Sequence, residues 1–256
     1  MKLGEAATAS GFRLSVFGEV GSTNDLALVA ASHGDPGQHW FVASAQSAGR
    51  GRGGRAWTSR PGNLFATLLL IDPCPAADLP KLGFVAGVAA HRTIAKLAPQ
   101  LAGLRLKWPN DLLVGGANLA GILLEGRVLP DGRQAVAIGI GLNCRHHPED
   151  VPYPVTNLAL LGMADGPEAV FPGLSDALAA SLAEFAQGRG FTTVRDAWIA
   201  AAHGIGSAIT VRQGARTREG LFGGIDAHGR LLFDEGPARS TIDAADVVFR
   251  GSNAAS

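Results

Sequence analysis

The longest apolar run in the chain, Leu64–Ile71, narrows the possible folds more than any other feature. A helix needs roughly 20 apolar residues to span a bilayer, so a run this short does not cross one. Its length and its leucines read as a buried strand. Further short strands are predicted at 14–19, 40–46, 104–108, 112–114, 119–125 and 134–143, with turns at Gly115-Gly116 and Asp131-Gly132. A helix is predicted at 25–31, behind the turn Gly21-Ser22-Thr23-Asn24. A longer one is predicted at 78–98, where Leu82, Val85, Ala86, Ala89, Ile94 and Leu97 lie near helical spacing. Residues 156–202 read as helical, with Ser175 capping a helix that carries Leu178, Leu182 and Phe185. The pattern is α+β, a mixed β-sheet with packed helices.

Composition shifts at His203-Gly204-Ile205-Gly206. Strand-like runs follow at 208–211, 220–225, 231–233 and 247–249. They read as a small β-barrel of about 45 residues, a size that favours docking on a larger unit. The expected organisation is a first domain over 1–203, a small domain over 204–251 and a disordered tail at 252–256. The 256 residues carry 22 basic and 22 acidic side chains. Their balance gives no global field for nucleic acid or membrane, so any basic site is a local concentration. Cys74 and Cys144 have no metal-ligand spacing, and no protein-bound metal is expected. Residues 1–14 lack the apolar core of a signal peptide, and the chain reads as soluble and cytoplasmic.

Such a local concentration lies at 46–57, where three arginines and four glycines fall within the seven residues 49–55. Glycines let backbone approach a ligand closely, and successive N–H groups can form an anion nest. Arginines add bidentate bonds to phosphate or carboxylate. The loop by itself fits a phosphate clamp, RNA binding of the arginine–glycine type, or a solvated connection. It lacks the Gly-Lys-Ser/Thr ending of a Walker loop.

Four segments together resemble the biotin protein ligase family: Gly21-Ser22-Thr23-Asn24; Gln46 through Arg55 with Trp57 and Ser59; Lys107-Trp108-Pro109-Asn110-Asp111 with residues 119–125, Leu-Ala-Gly-Ile-Leu-Leu-Glu; and Gly139-Ile140-Gly141-Leu142-Asn143. The resemblance covers about residues 14–200, and the β-rich end is similar to the family's small SH3-like C-terminal domain. It implies a biotin/lipoate ligase-like catalytic domain, in a form lacking a DNA-binding domain. The implied reaction has two steps. Biotin and ATP give biotinyl-5'-AMP and diphosphate, and a lysine of a biotin carboxyl carrier protein then takes the biotinyl group. Positive donors must cancel the repulsion between a carboxylate and a polyphosphate, and Mg2+ is expected for the same reason. No DNA or membrane partner is expected, and the chain is a monomer or a homodimer.

By the same resemblance, Ser22, Thr23, Asn24 and Gln46 bind biotin, with a plain helix N-cap as the alternative for the turn. Arg50, Gly51 and Arg52 belong to a loop that closes over biotin and the adenylate. Arg55 faces the phosphates, and Trp57 covers the adenine or fills the core. Lys107, Asn110 and Asp111 line the reaction centre, with Lys107 a point charge for phosphate and Asp111 able to orient or deprotonate the incoming amine. Gly121, Gly139 and Gly141 interrupt apolar strands, which fits either a flat ligand lying on the sheet or a bulge. Asn143 hydrogen-bonds the ligand or a neighbouring turn.

One departure stands out. The family carries Lys before its Leu-Ala-Gly-Ile-Leu segment, and this chain has Asn118. A charged hydrogen bond contributes about 1.5–3 kcal/mol, so its loss predicts roughly ten- to hundredfold slower adenylation. Lys107 or an arginine could supply the charge instead. The competing readings are a biotin-binding homologue with impaired catalysis, a lipoate ligase, and an RNA-binding protein.

Overall fold

The computed structural model describes residues 1–213, 216–243 and 245–249, with the backbone alone at Asp246. The expected tail at 252–256 lies outside the described residues. The elements, in chain order, are α1 (Glu5–Ala9), β1 (Arg13–Val20), α2 (Thr23–Ser32), β2 (His39–Gln46), β3 (Leu64–Ile71), α3 (Leu82–Leu97), β4 (Leu104–Lys107), β5 (Asp111–Val114), β6 (Ala117–Val128), β7 (Gln134–Leu142), α4 (Pro167–Phe185) and α5 (Phe191–Ala200). Five strands follow: β8 (Ala208–Gln213), β9 (Arg216–Ile225), β10 (Leu231–Glu235), β11 (Ala238–Ile242) and β12 (Asp246–Phe249).

The first seven strands form one mixed sheet, ordered β1-β2-β3-β7-β6-β5-β4. Only β1 and β2 are parallel; the remaining pairs are antiparallel. The period of two along β3 explains how it is buried on both sides. Leu64, Ala66, Leu68 and Leu70 face the large core built with α3, α4 and α5. Leu69 faces a smaller cluster with Ala27, Leu28 and Ala31 of α2. The single helix α2 covers only part of that second face. No helix covers the remainder of the face, and there the register aligns Phe65, Gly141, Gly121 and Asp111 in one row across four strands.

Three expectations about helices are corrected, and one of them is the helical reading of 156–202, which fails over 156–166, where the chain makes turns and extended segments. The helix expected at 78–98 starts as a 3-10 turn, Ala76–Lys81, and becomes α-helical only at Leu82. Pro80 has no N–H to donate and its ring crowds the preceding turn, so it fits only ahead of the α-helical ladder. Ser175 does not cap a helix. It lies inside α4, which begins at Pro167, a residue suited to a first turn because its missing N–H would go unused there. The Ser175 hydroxyl is fully buried, accepts from the backbone N–H of Gly4 at 2.9 Å and donates to the Pro172 carbonyl at 2.8 Å.

The five C-terminal strands form an antiparallel sheet ordered β11-β10-β9-β8-β12. Their inward side chains, among them Ile209, Phe222, Leu231 and Phe233, join the same apolar cluster as the first sheet. Trp108 Nε1 donates to the Gly229 carbonyl at 3.1 Å, and Arg195 Nε to the Ile225 and Asp226 carbonyls. A Cβ on Gly229 would fall 2.6 Å from the Phe84 ring, so the β9–β10 turn sits hard against α3.

Candidate active site

The helix-free part of the sheet face, the arginine–glycine loop and the edge of the C-terminal sheet enclose a cavity of about 770 Å³. Its floor is the glycine stripe. A Cβ on Gly141 would fall 2.5 Å from Trp57 Nε1, and one on Gly121 would fall 3.1 Å from the same ring. A Cβ on Gly139 would fall 2.5 Å from Asn24 Oδ1. These positions lack side chains because an indole and an amide lie directly on the backbone. Trp57 Nε1 is buried without a hydrogen-bond partner among the described residues. A buried unmet donor costs about 1–3 kcal/mol.

The turn before α2 supplies one wall. Ser22 caps α2, accepting from the Asp25 N–H at 3.5 Å, and also lines the cavity. Thr23 and Asn24 are buried beside it. Gln46 is not a loose strand end. Its Oε1 accepts from Thr23 N–H at 2.9 Å and from the Thr23 hydroxyl at 3.1 Å, and its Nε2 donates to Ser59 Oγ. The amide thereby ties the turn to the far end of the loop.

The loop closes on itself. Gly51 N–H donates to the Arg55 carbonyl and Trp57 N–H to the Gly49 carbonyl, with Gly53 and Gly54 at positive φ between them. Arg50 makes a bidentate pair with Asp25, at 2.6 and 2.8 Å, and also reaches Glu125. The hydrogen bond from Arg50 holds the Asp25 carboxyl below the usual carboxylate range. Arg52 donates to the Ala245 carbonyl, just ahead of β12, at 3.4 Å, and Arg55 to the Arg52 carbonyl at 3.1 Å. Arg50, Gly51, Arg52 and Arg55 all line the cavity together with Ser22, Lys107 and Gly121.

Opposite the loop, the β4–β5 turn brings Lys107 Nζ within 3.8 Å of Asp111. Burial pushes the Asp111 carboxyl up, against the pull of Lys107, Arg55 and Arg52 and a hydrogen bond from Asn118. Asn118 is buried, lines the cavity and exchanges backbone hydrogen bonds with the 154–156 segment. Asn110 lines the cavity and donates to the Ile122 carbonyl at 2.8 Å, which ties the β4–β5 turn to β6. Asn143 does not line it. Its amide is buried and donates to the Thr156 carbonyl, and its main chain bonds Leu119 and Leu158, so it anchors the segment after β7.

Several residues here escaped sequence reasoning. Thr67 donates toward Thr23 and Asn24, and its hydroxyl in an otherwise apolar run was a usable signal. Asp25 and Glu125 hold Arg50, and their charge next to the motifs was visible. Arg212 and Val247 reach the cavity only because the C-terminal sheet folds back, and His203 because its N–H donates to the Leu106 carbonyl of β4; no local pattern announces either. Burial, with Lys107 and Arg105 nearby, holds the His203 ring below its usual pKa. Among the described residues, no group of three or more His, Cys, Asp or Glu could hold a metal ion, and no helix is long and apolar enough to cross a membrane.

The profile of the biotin/lipoate A/B protein ligase family matches residues 20–143, and that of the biotin protein ligase C-terminal domain matches residues 204–250. In sequence the chain is similar to a biotin–[acetyl-CoA-carboxylase] ligase of Paracoccus denitrificans, 39% identical over 237 residues, spanning 90% of this chain and 98% of that one. It is 31% identical over 260 residues to a bifunctional ligase/repressor of Bacillus subtilis, spanning 96% of this chain and 79% of that one. Its fold resembles that of the biotin protein ligase from Aquifex aeolicus in complex with biotin and ATP, with a TM-score of 0.76 at 23% identity, covering 93% of this chain and 98% of that one.

Proposed function

The chain belongs to the biotin protein ligase family, and from that premise we propose how its own residues carry out ATP-dependent ligation of biotin to a carrier lysine. A biotin carboxylate oxygen attacks the α-phosphorus of ATP, the bond to the β-phosphate oxygen breaks, and diphosphate leaves. The carrier lysine amine then attacks the carbonyl carbon of biotinyl-5'-AMP, and AMP departs. The fused rings sit against the glycine floor beside the Trp57 indole, which lies over Gly121 and Gly141, with Ser22, Thr23, Asn24 and Gln46 at the ring end. Arg50, Gly51 and Arg52 cover the acid from above. Arg52, Arg55 and Lys107 offset the negative charge that builds on the α-phosphate as it reacts. Trp57 and Asn110 border the nucleotide. Asp111 takes the proton from the lysine amine, for which a raised pKa makes it a stronger base. Magnesium arrives on the polyphosphate of ATP as part of the substrate, held mainly by phosphate oxygens.

The observation that carries this reading is the convergence of Arg50, Arg52, Arg55 and Lys107 on one cavity whose floor is glycine. A cationic rim alone would suit many anions, and a glycine-lined sheet face alone many rings. Together they fit an acid being joined to a nucleotide. The domain organisation is read as a ligase domain over 1–203 and an SH3-like domain from 204. The carrier is read as the biotin carboxyl carrier protein of a carboxylase.

Incubation with ATP, magnesium, biotin and a carrier domain, followed by intact mass, tests the reading. The expected product is the carrier plus one biotinyl group, with none when ATP is omitted. An unmodified carrier alongside binding of lipoic acid in preference to biotin would overturn it.

A further inference from the structure

Glu125 lies at the end of the Leu-Ala-Gly-Ile-Leu-Leu-Glu run, and besides its contact with Arg50 it meets the Asn24 amide. Asn24 is 4% exposed, and its Nδ2 donates to Glu125 Oε2 at 2.8 Å and to the Leu123 carbonyl at 3.4 Å. Carboxylate and carbonyl oxygens only accept, so the amide nitrogen must be the atom that faces them. Oδ1 is thereby turned the other way, over the floor beside Gly139 and 2.7 Å from the Thr67 hydroxyl. That hydroxyl has one proton and two acceptors in reach, Asn24 Oδ1 and Thr23 Oγ1. It satisfies one of them at a time, and an amide oxygen has two lone pairs, so Asn24 keeps accepting capacity for a ligand. The Thr67 hydroxyl can donate or accept and so suits either amide orientation; without Glu125, the longer contact to Leu123 is what remains among the described residues to choose between them.

We propose that Glu125 is a positioning residue for ring recognition: it fixes the Asn24 carboxamide so that an acceptor faces the ligand, favouring an acid whose rings carry N–H groups. The inference rests on the reading of Asn24 as a biotin-binding residue. A cyclic urea offers two N–H donors, whereas a dithiolane offers none. Glu125 also accepts from Arg50, but Arg50 retains its bidentate pair with Asp25 when Glu125 is changed.

Pyrophosphate release by the full chain, with biotin and ATP varied separately, tests this in Glu125→Gln, Glu125→Asp and Asn24→Ala. Glutamine keeps the shape of glutamate but can donate as well as accept, so it no longer dictates the amide orientation. In Glu125→Gln the KM for biotin is expected to rise about tenfold, the loss of one well-placed hydrogen bond, while kcat and the KM for ATP stay within about threefold. Glu125→Asp, still acceptor-only, is expected to recover part of that loss. A merely structural role would move both KM values and kcat together. If Asn24→Ala raises the biotin KM and Glu125→Gln does not, or if the Gln and Asp variants lose biotin equally, Glu125 does not position Asn24. If Asn24→Ala leaves the biotin KM unchanged, the reading of Asn24 fails and the inference with it.

Discussion

Lys107 and Asp111 stand 3.8 Å apart at the rim of the glycine floor, and the chemistry of the site depends on what each does to the other. Lys107 is the lysine that lines the cavity, while the position before Leu119 is the neutral Asn118. Replacing Lys107 with alanine should slow biotinyl-AMP formation roughly ten- to hundredfold, the equivalent of one charged hydrogen bond, as read by pyrophosphate release. Asn118→Lys should raise the same rate; an unchanged rate would mean that Lys107 already supplies all the charge the step requires. Asp111 acts as a base only when ionised, and burial has raised its pKa. Transfer to the carrier lysine should therefore fall as pH drops, beginning above the ordinary aspartate value of about 4. Single-turnover transfer from preformed biotinyl-AMP would show this acid limb, and Asp111→Asn should remove it along with most of the rate. These residues were legible in sequence because their motifs are contiguous. Asn143 was legible as a bond either to the ligand or to a neighbouring turn; its amide holds the chain at Thr156, a choice that the loop return after β7 decides.

At the scale of elements, the strands were legible because each carries its own period of two or its own apolar run. Polar strands and short helices were not. β11, Ala-Arg-Ser-Thr-Ile, is mostly exposed and lies at the edge of its sheet, so little apolar patterning marks it. α1 is a five-residue helix held through Ser175 and Asp176 of α4, contacts that its own sequence does not encode. Ser175→Ala leaves the Gly4 N–H buried without this partner and should cost about 1–3 kcal/mol of stability in urea unfolding. The stripe in β6 and β7 makes the opposite prediction. Gly141→Ala would place a methyl where the Trp57 indole lies, at 2.5 Å. Alanine suits a strand no worse than glycine, and Trp57 belongs to a loop that can shift. The melting temperature should therefore move little, while biotin affinity measured by calorimetry falls about tenfold or more, as a crowded floor demands.

For the molecule as a whole, the C-terminal sheet is both a structural cover and a wall of the site. Cutting the chain after His203 would expose Phe84 and Trp108 and remove Val247 and Phe249 from the cavity. The shortened chain is expected to lose its cooperative thermal transition, visible by calorimetry; a sharp transition near that of the full chain would show the first sheet to be self-sufficient. The amino-acid sequence by itself determined the class of fold, the order of most strands and helices along the chain, and which motifs carry charge, because periodicity, turn residues and contiguous motifs are local properties. The tertiary structure alone decided that Phe65, Gly141, Gly121 and Asp111 share a row, that Arg50 is held by Asp25 and Glu125, and that β12 closes the cavity. Those are matters of register and docking between residues far apart in the chain. Burial of the shared core fixes them only when every element is in place.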